Sequence, residues 1–170
     1  LAADGGTGVG TRAIGQGTLS NANYAISYVG GTVTVTPRAI TVAADNQTRA
    51  YGDANPALTY RVTSGSVVSG DDLTGLFTTS ANATSAVGTY AITPGSLANA
   101  NYAITYAGDG TLTVTPRLVM VAADNVSRAY GDANPALTYR LTSGSLANGD
   151  QFTGSLATSA GTASGVGGYD

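Results

Sequence analysis

RAYGDANPALTYR, residues Arg49–Arg61, returns letter for letter at Arg128–Arg140. A second phrase returns with a few changes: NANYAISYVGGTVTVTP begins at Asn21 and NANYAITYAGDGTLTVTP at Asn99, one residue longer. Pro37 and Pro116 close these two copies about 79 residues apart, longer than most solenoid periods and long enough for a small domain. The chain therefore reads as modules in series. Residues 1–37 are the C-terminal half of one, 38–116 a complete one, and 117–170 the N-terminal part of the next. Leu1–Gly10 align with Thr79–Gly88, and 117–170 match 38–91 at about three positions in five. One fold should serve both. Because the sequence opens and closes inside repeats, we expect a piece of a longer protein, with any targeting segment outside it.

The residue types that are missing narrow the chemistry. There is no Cys, His, Trp, Lys or Glu; every basic residue is Arg, every acidic one Asp, and only 10% of the chain is charged. Without Glu and Lys, and with Gly, Thr, Asn and Val abundant, helix is disfavoured. Alternating Thr, Val, Ile and Tyr favour strands. Disulfides, thiol chemistry and Lys–Asn cross-links are all excluded, so burial and backbone hydrogen bonds must hold the fold. No basic patch exists to neutralise phosphates, which argues against nucleic acid. No apolar run approaches the roughly 20 residues of a membrane-spanning helix.

In the first copy, Tyr24, Ile26 and Tyr28 alternate with small residues, Gly30 and Gly31 turn, and Thr32–Thr36 alternate Thr with Val. That pattern predicts a β-hairpin. In the complete copy, Ile40, Val42 and Ala44 should share one face of a strand, with Thr41, Ala43 and Asp45 on the other. Thr48–Tyr51 should continue extended after a turn at Asp45–Asn46. Asp53 and Asn55 suit a tight turn, each able to bond the backbone two residues on, and Pro56 biases Asn55 away from helix. Leu58, Tyr60 and Val62 mark a second strand, Tyr90 and Ile92 a third, and 102–115 the hairpin again. Leu73 and Phe77, at i and i+4, allow one helical turn over Gly70–Phe77. Ile40, Val42, Leu58, Tyr60, Val62, Tyr90, Ile92, Tyr102, Ile104, Tyr106, Leu112 and Val114 compose the expected core, in which Ile104→Asp should be ruinous. The fold class is thus all-β, about five strands per module. Between Val35 and Ile40 only four residues intervene, and Pro37 and Pro116 fix φ at the two joints, so the modules should be stiffly linked. Parallel pairing of first and last strands would set entry and exit at opposite ends.

The order YGDxNPALTY, GD, VGxYxI and NYxIxYxxGTLTVTP resembles the MBG or YDG-type repeats of large bacterial surface and secreted proteins, including filamentous-haemagglutinin-like adhesins. The resemblance implies tandem β-grasp-like modules with an extracellular or cell-surface, array-forming role; an immunoglobulin-like sandwich is the alternative topology. It transfers no catalytic or ligand residues.

An enzyme is not expected: the nucleophile and acid–base types are largely missing, and no G-x-S-x-G elbow or paired carboxylates appear. No cofactor is expected either. Asp53, Asn55, Asp71, Asp72 and Asp109 offer hard oxygens for calcium, but neither EF-hand nor Gly-rich nonapeptide spacing is present, and short Asp and Asn at turns commonly bond their own backbone. The sequons at Asn46, Asn82 and Asn125 are expected by chance in so Asn- and Thr-rich a chain. The structural motif is Tyr51, Gly52, Asp53, Asn55 and Pro56, with Tyr130, Gly131, Asp132, Asn134 and Pro135 in the next copy. Tyr51 and Tyr130 look exposed enough to stack on sugars, aided by Arg49, Arg61, Arg128 and Arg140. The expected role is a stiff stalk or fibre of an adhesin or matrix protein. The alternatives are a filament subunit joined by strand complementation and a glycan-binding module. Expected partners are neighbouring modules of the same or an identical chain, then host or matrix glycans or proteins.

Overall fold

The computed structural model describes residues 8–170; the alignment of residues 1–7 with the complete copy lies outside the described residues. The fold is all-β, and no helix forms among the described residues. The first copy contributes β1 (Gly10–Ile14) and β2 (Gly31–Val35). The complete copy contributes β3 (Arg38–Ala44), β4 (Gln47–Ala50), β5 (Tyr60–Ser64), β6 (Phe77–Thr79), β7 (Gly88–Pro94), β8 (Tyr102–Tyr106) and β9 (Gly110–Thr115). In the last copy only β10 (Met120–Ala123) and β11 (Tyr139–Ser143) form. The sheets run β1-β2, β5-β3-β8, β4-β9-β7-β6 and β10-β11.

The chain divides into two compact units: Leu1–Gln47 (described from residue 8), Pro56–Ser80 and Thr89–Leu112 in one; Thr48–Asn55, Ala81–Gly88 and Thr113–Asp170 in the other. In the first, β3 is the central strand of its sheet. It pairs antiparallel with β5 and parallel with β8, in register Arg38↔Tyr102 to Val42↔Tyr106. Phe77 of β6 stacks on Tyr60 of β5 at 6.0 Å and meets Tyr106 of β8 edge-on at 6.0 Å, so two sheets share one core. Ile40, Val42, Ile92, Leu97, Tyr102 and Leu112 are buried there, as the alternation requires. Ile104, however, is only half-buried, so full burial belongs instead to Ile92 and Leu112. Ala43 is also buried, against the expected alternation, where a register shift between Thr41 and Val42 breaks the period of two. Val62 is exposed because β5 is the outer strand of its sheet.

The expected hairpin of the complete copy does not form. Both strands exist, but β8 belongs with β3 and β9 lies between β4 and β7 in the other sheet. After Tyr106 the chain stays on β3 for one more bond, Ala107 N–H to Val42 O at 2.8 Å. It then changes sheets through Gly108 at φ 124°. In the first copy Tyr24–Tyr28 forms no strand at all. β8 is zipped to the parallel strand β3, whereas Tyr24–Tyr28 joins none of the sheets. The helical turn over Gly70–Phe77 is likewise absent. Gly70 and Gly75 sit at φ 92° and 108°, outside the right-handed helix, and Thr74 forms an antiparallel bridge to Ala98. Phe77 opens β6 instead.

In the second unit, β10 pairs antiparallel with β11 and shows the same bulge, between Met120 and Val121. Val114 and Ala81 are buried in that unit, together with Arg49, which is 7% exposed.

Candidate functional site: the YGDANP turn and the joint after it

The repeated motif folds alike in both copies. Asp53 N–H bonds Ala50 O and Asp132 N–H bonds Ala129 O, each at 3.2 Å. Gly52 and Gly131 occupy φ 85° and 89°, a conformation that costs little only without a Cβ.

What fastens this turn is an arginine that sequence reasoning assigned to the surface. Arg49 donates from Nε to Asn55 Oδ1 at 2.8 Å, from Nη1 to Ala50 O at 3.1 Å, and from Nη2 to Asn82 O. Asn55 donates onward from Nδ2 to Ala81 O at 2.6 Å. The side chain of Asn55 thus reaches across the fold instead of bonding two residues on. Arg128 and Asn134 repeat the clamp onto Gly161 and Ala160. The available signal was the recurrence of Arg and Asn six positions apart in both copies. These bonds satisfy a buried guanidinium through neutral oxygens, which fixes geometry and supplies no reactive group.

The motif also meets the residue that follows the proline. Tyr51 N–H bonds Thr115 O at 2.9 Å. Past Pro116, Arg117 turns back: Nε donates to Tyr51 O at 2.8 Å and Nη2 pairs with the Asp53 carboxylate. Gly52 packs under Ala147 and the Arg117 guanidinium. Tyr51, Pro116, Val119, Leu146 and Phe152 line a shallow pocket of about 240 Å³ around it. Tyr51 is therefore half-buried, whereas Tyr130 is 69% exposed. The corresponding residue after Pro37, Arg38, bonds Ser66 Oγ at 3.0 Å, and its own N–H bonds Asn101 O.

Gly52 and Gly131 form an internal control. A Cβ on Gly52 would collide with Ala147, while one on Gly131 would meet nothing within 4 Å. Gly131→Ala should cost only backbone strain, roughly 1–2 kcal/mol. Gly52→Ala should cost about 1–3 kcal/mol more through overpacking, recovered in part by Ala147→Gly. Denaturant unfolding of the four chains checks this; equal costs for the two alanines would mean Gly52 and Ala147 do not touch.

The proposed calcium ligands are not brought together. Asp53 faces Arg117, Asn55 holds Arg49, Asp71 accepts the Tyr102 hydroxyl at 2.6 Å, Asp72 accepts from Asn99 through its backbone, and Asp109 lies in the β8–β9 connection. Among the described residues no group of three or more possible metal ligands forms. The Asp71 hydrogen bond raises the Tyr102 pKa above its ordinary value, helped by burial, and the same hydroxyl receives Val68 N–H.

Arg61 and Arg140 pair instead with Asp45 and Asp124. Asp45 is held below the ordinary 3.8 by its Arg61 hydrogen bond and then by Thr59. Asp124 is held down by Thr138 and then Arg140. A folded carboxylate that binds its proton less tightly than the unfolded one stabilises the fold above 3.8, and that contribution disappears as pH falls towards the folded value. Asp45→Asn should flatten the acid limb of stability against pH and leave the neutral-to-alkaline limb alone. Melting curves from pH 2 to 7 measure it, and an unchanged acid limb would show the pair to be fully screened.

The model of the MBG domain (YGX type) matches residues 40–113 and again 119–170. The chain belongs to the MBG domain family. Comparison with curated proteins and with solved structures gives no match. The MBG domain is a repeat module of extracellular proteins and not a known enzyme family. Among the described residues no helix is long and apolar enough to cross a membrane. The YGX of the family description is, in this chain, Tyr51–Asp53, the turn against which Arg117 closes.

Proposed function

We propose that these MBG domains are the structural repeat region of a bacterial extracellular protein and form a stiff stalk or fibre of an adhesin or matrix protein. The observation that carries this reading is the Arg117 return. Thr115 and Arg117, on either side of Pro116, are bonded to the YGD turn of the copy the chain is leaving while the next copy begins. Pro116 restricts φ, Arg117 adds two directed bonds, and Gly52 admits Ala147 closely. A module joint built this way resists bending, which is the property a shaft needs. On this reading 38–116 is one module, 117–170 the front of the next, Pro37 and Pro116 are the linkers, and the YGDANP residues serve the joint. The natural partners are neighbouring modules; host or matrix molecules would meet other parts of such a protein.

The Arg117–Asp53 pair is part-exposed, 28% and 50% by side chain, so the ion pair itself contributes only about 0–1 kcal/mol. Its role is orientation. Arg117→Ala should leave both copies folded yet broaden the distance distribution between spin labels at Thr84 and Ser155, one in each copy. An unaltered distribution would remove Arg117 from the joint. The location is tested on intact source cells with an antibody against 38–116: surface labelling is expected, and labelling seen only after cell rupture would refute an extracellular stalk.

A further inference from the structure

The turn that brings Ala147 onto Gly52 holds the one Asn-Gly pair in the chain, Asn148–Gly149. Asn148 sits at φ 55°, the sole non-glycine residue at positive φ among the described residues, and Gly149 follows at φ 79°. Asp150 N–H closes the turn on Ala147 O at 2.9 Å. Asn followed by Gly suits a tight turn in which both central residues need positive φ. The complete copy makes the equivalent turn with Ser69–Gly70, closed by Asp71 N–H on Val68 O at 3.0 Å. The turn is therefore a property of the repeat, and asparagine is not required to form it.

What asparagine adds is an electrophile beside a nucleophile. Gly149 is exposed, its N–H donates no hydrogen bond among the described residues, and a Cβ there would meet nothing within 4 Å. Asn148 is exposed as well, and its Nδ2 makes one long bond, to Ala83 O at 3.3 Å. With no side chain at 149 to obstruct it, the Gly149 nitrogen can close a five-membered ring on Asn148 Cγ. Asp109–Gly110 has the same spacing in a different setting. Gly110 is buried at the start of β9, where a Cβ would meet Ala44 at 2.9 Å.

We propose that Asn148 is a site of spontaneous covalent modification, converted in the folded chain to isoaspartate and aspartate through a succinimide. The Gly149 nitrogen gives its proton to solvent and attacks Asn148 Cγ. The N–Cγ bond forms, the Cγ–Nδ2 bond breaks, and Nδ2 takes up a proton and leaves as ammonia. Water then opens the ring at either carbonyl. The net change is one water consumed and one ammonia released, with no oxidant and no enzyme. The isoaspartyl product carries a new carboxylate and lengthens the main chain between Ala147 and Asp150 by one methylene. It also puts an acceptor where an amide donor faced Ala83 O. These changes fall on the turn that seats Ala147 against Gly52. The inference is independent of the shaft reading, since it concerns a bond change at one residue whatever the array is for.

Incubation of the 170-residue chain at mildly alkaline pH, native and in guanidinium chloride, tests it. Trypsin cuts after Arg140 and leaves peptide 141–170, in which Asn148 is the only asparagine. That peptide should gain about 1 Da, the exchange of NH2 for OH. Its isoaspartate should accept a methyl group from an isoaspartyl methyltransferase. The native rate should lie within about tenfold of the denatured rate, because opening an exposed turn costs little. Asp109 should form isoaspartate only in the denatured chain. Asn148→Ser, which copies Ser69, should abolish the change in peptide 141–170 and leave the melting temperature where it was. In the converted chain the amide signals of Gly52 and Ala147 should move. A native chain that converts more slowly than that margin, or a converted chain whose Gly52 signal stays in place, would overturn the inference.

Discussion

Leu112→Asp is expected to unfold the complete copy while β10 and β11 of the last copy persist. Leu112 is 0% exposed in β9, the strand between β4 and β7. Its removal forfeits roughly 2–3 kcal/mol of apolar burial. The new carboxylate would sit at a position with no water, adding several kcal/mol more or forcing the acid to stay protonated. A small domain has only about 5–15 kcal/mol in hand. Ile104→Asp, at a half-buried position, should be clearly milder. Amide exchange resolved by residue distinguishes the two. Protection retained at Ile92 and Val114 in Leu112→Asp would mean that β9 is not a core strand.

Arg49→Met is expected to lower the stability of the complete copy by about 3 kcal/mol, several times the effect of Arg128→Met. Arg49 is 7% exposed and serves Asn55, Ala50 and Asn82; methionine fills similar volume but leaves those oxygens without their donor. Arg128 makes the same three bonds at a half-exposed site, where water can replace it, so about 1 kcal/mol or less is expected there. Denaturant unfolding followed by amide exchange in each copy gives both values. Equal losses would show that burial is not what makes the clamp matter.

The side-chain periodicity was legible in the sequence and the pairing was not. Ile40, Val42, Ile92, Leu112 and Val114 alternate with small polar residues, and each is buried. The all-β class and the family follow from that alternation and the doubled YGDANP phrase. The stretch Tyr102–Thr115 misleads because two alternating segments around glycines look the same whether the chain folds back on itself or passes to another sheet. What decides is β3, the parallel partner of β8, some sixty residues upstream and invisible to local pattern. β6 was missed because three residues in a Gly-rich polar stretch are too few to show a period.

The site was legible as letters and not as contacts. The recurrence of Tyr51–Pro56 at Tyr130–Pro135 marked the motif. Burial of Arg49, the reach of Asn55 to Ala81, and the return of Arg117 to Tyr51 join residues 26 to 66 positions apart, which composition cannot reveal. The same geometry weakens the glycan reading of Tyr51, since its ring is half-buried beside Pro116 and Arg117.

The joint between copies is the centre of this account, and nitrogen-15 relaxation of the backbone at Thr115, Arg117, Leu118 and Val119 addresses it most directly. If Arg117 holds the chain against Tyr51 and Asp53, those amides should show order parameters of about 0.85, like the strands on either side. Values below about 0.6 would mean a loose tether between independent beads, and the stiff-shaft reading would fall.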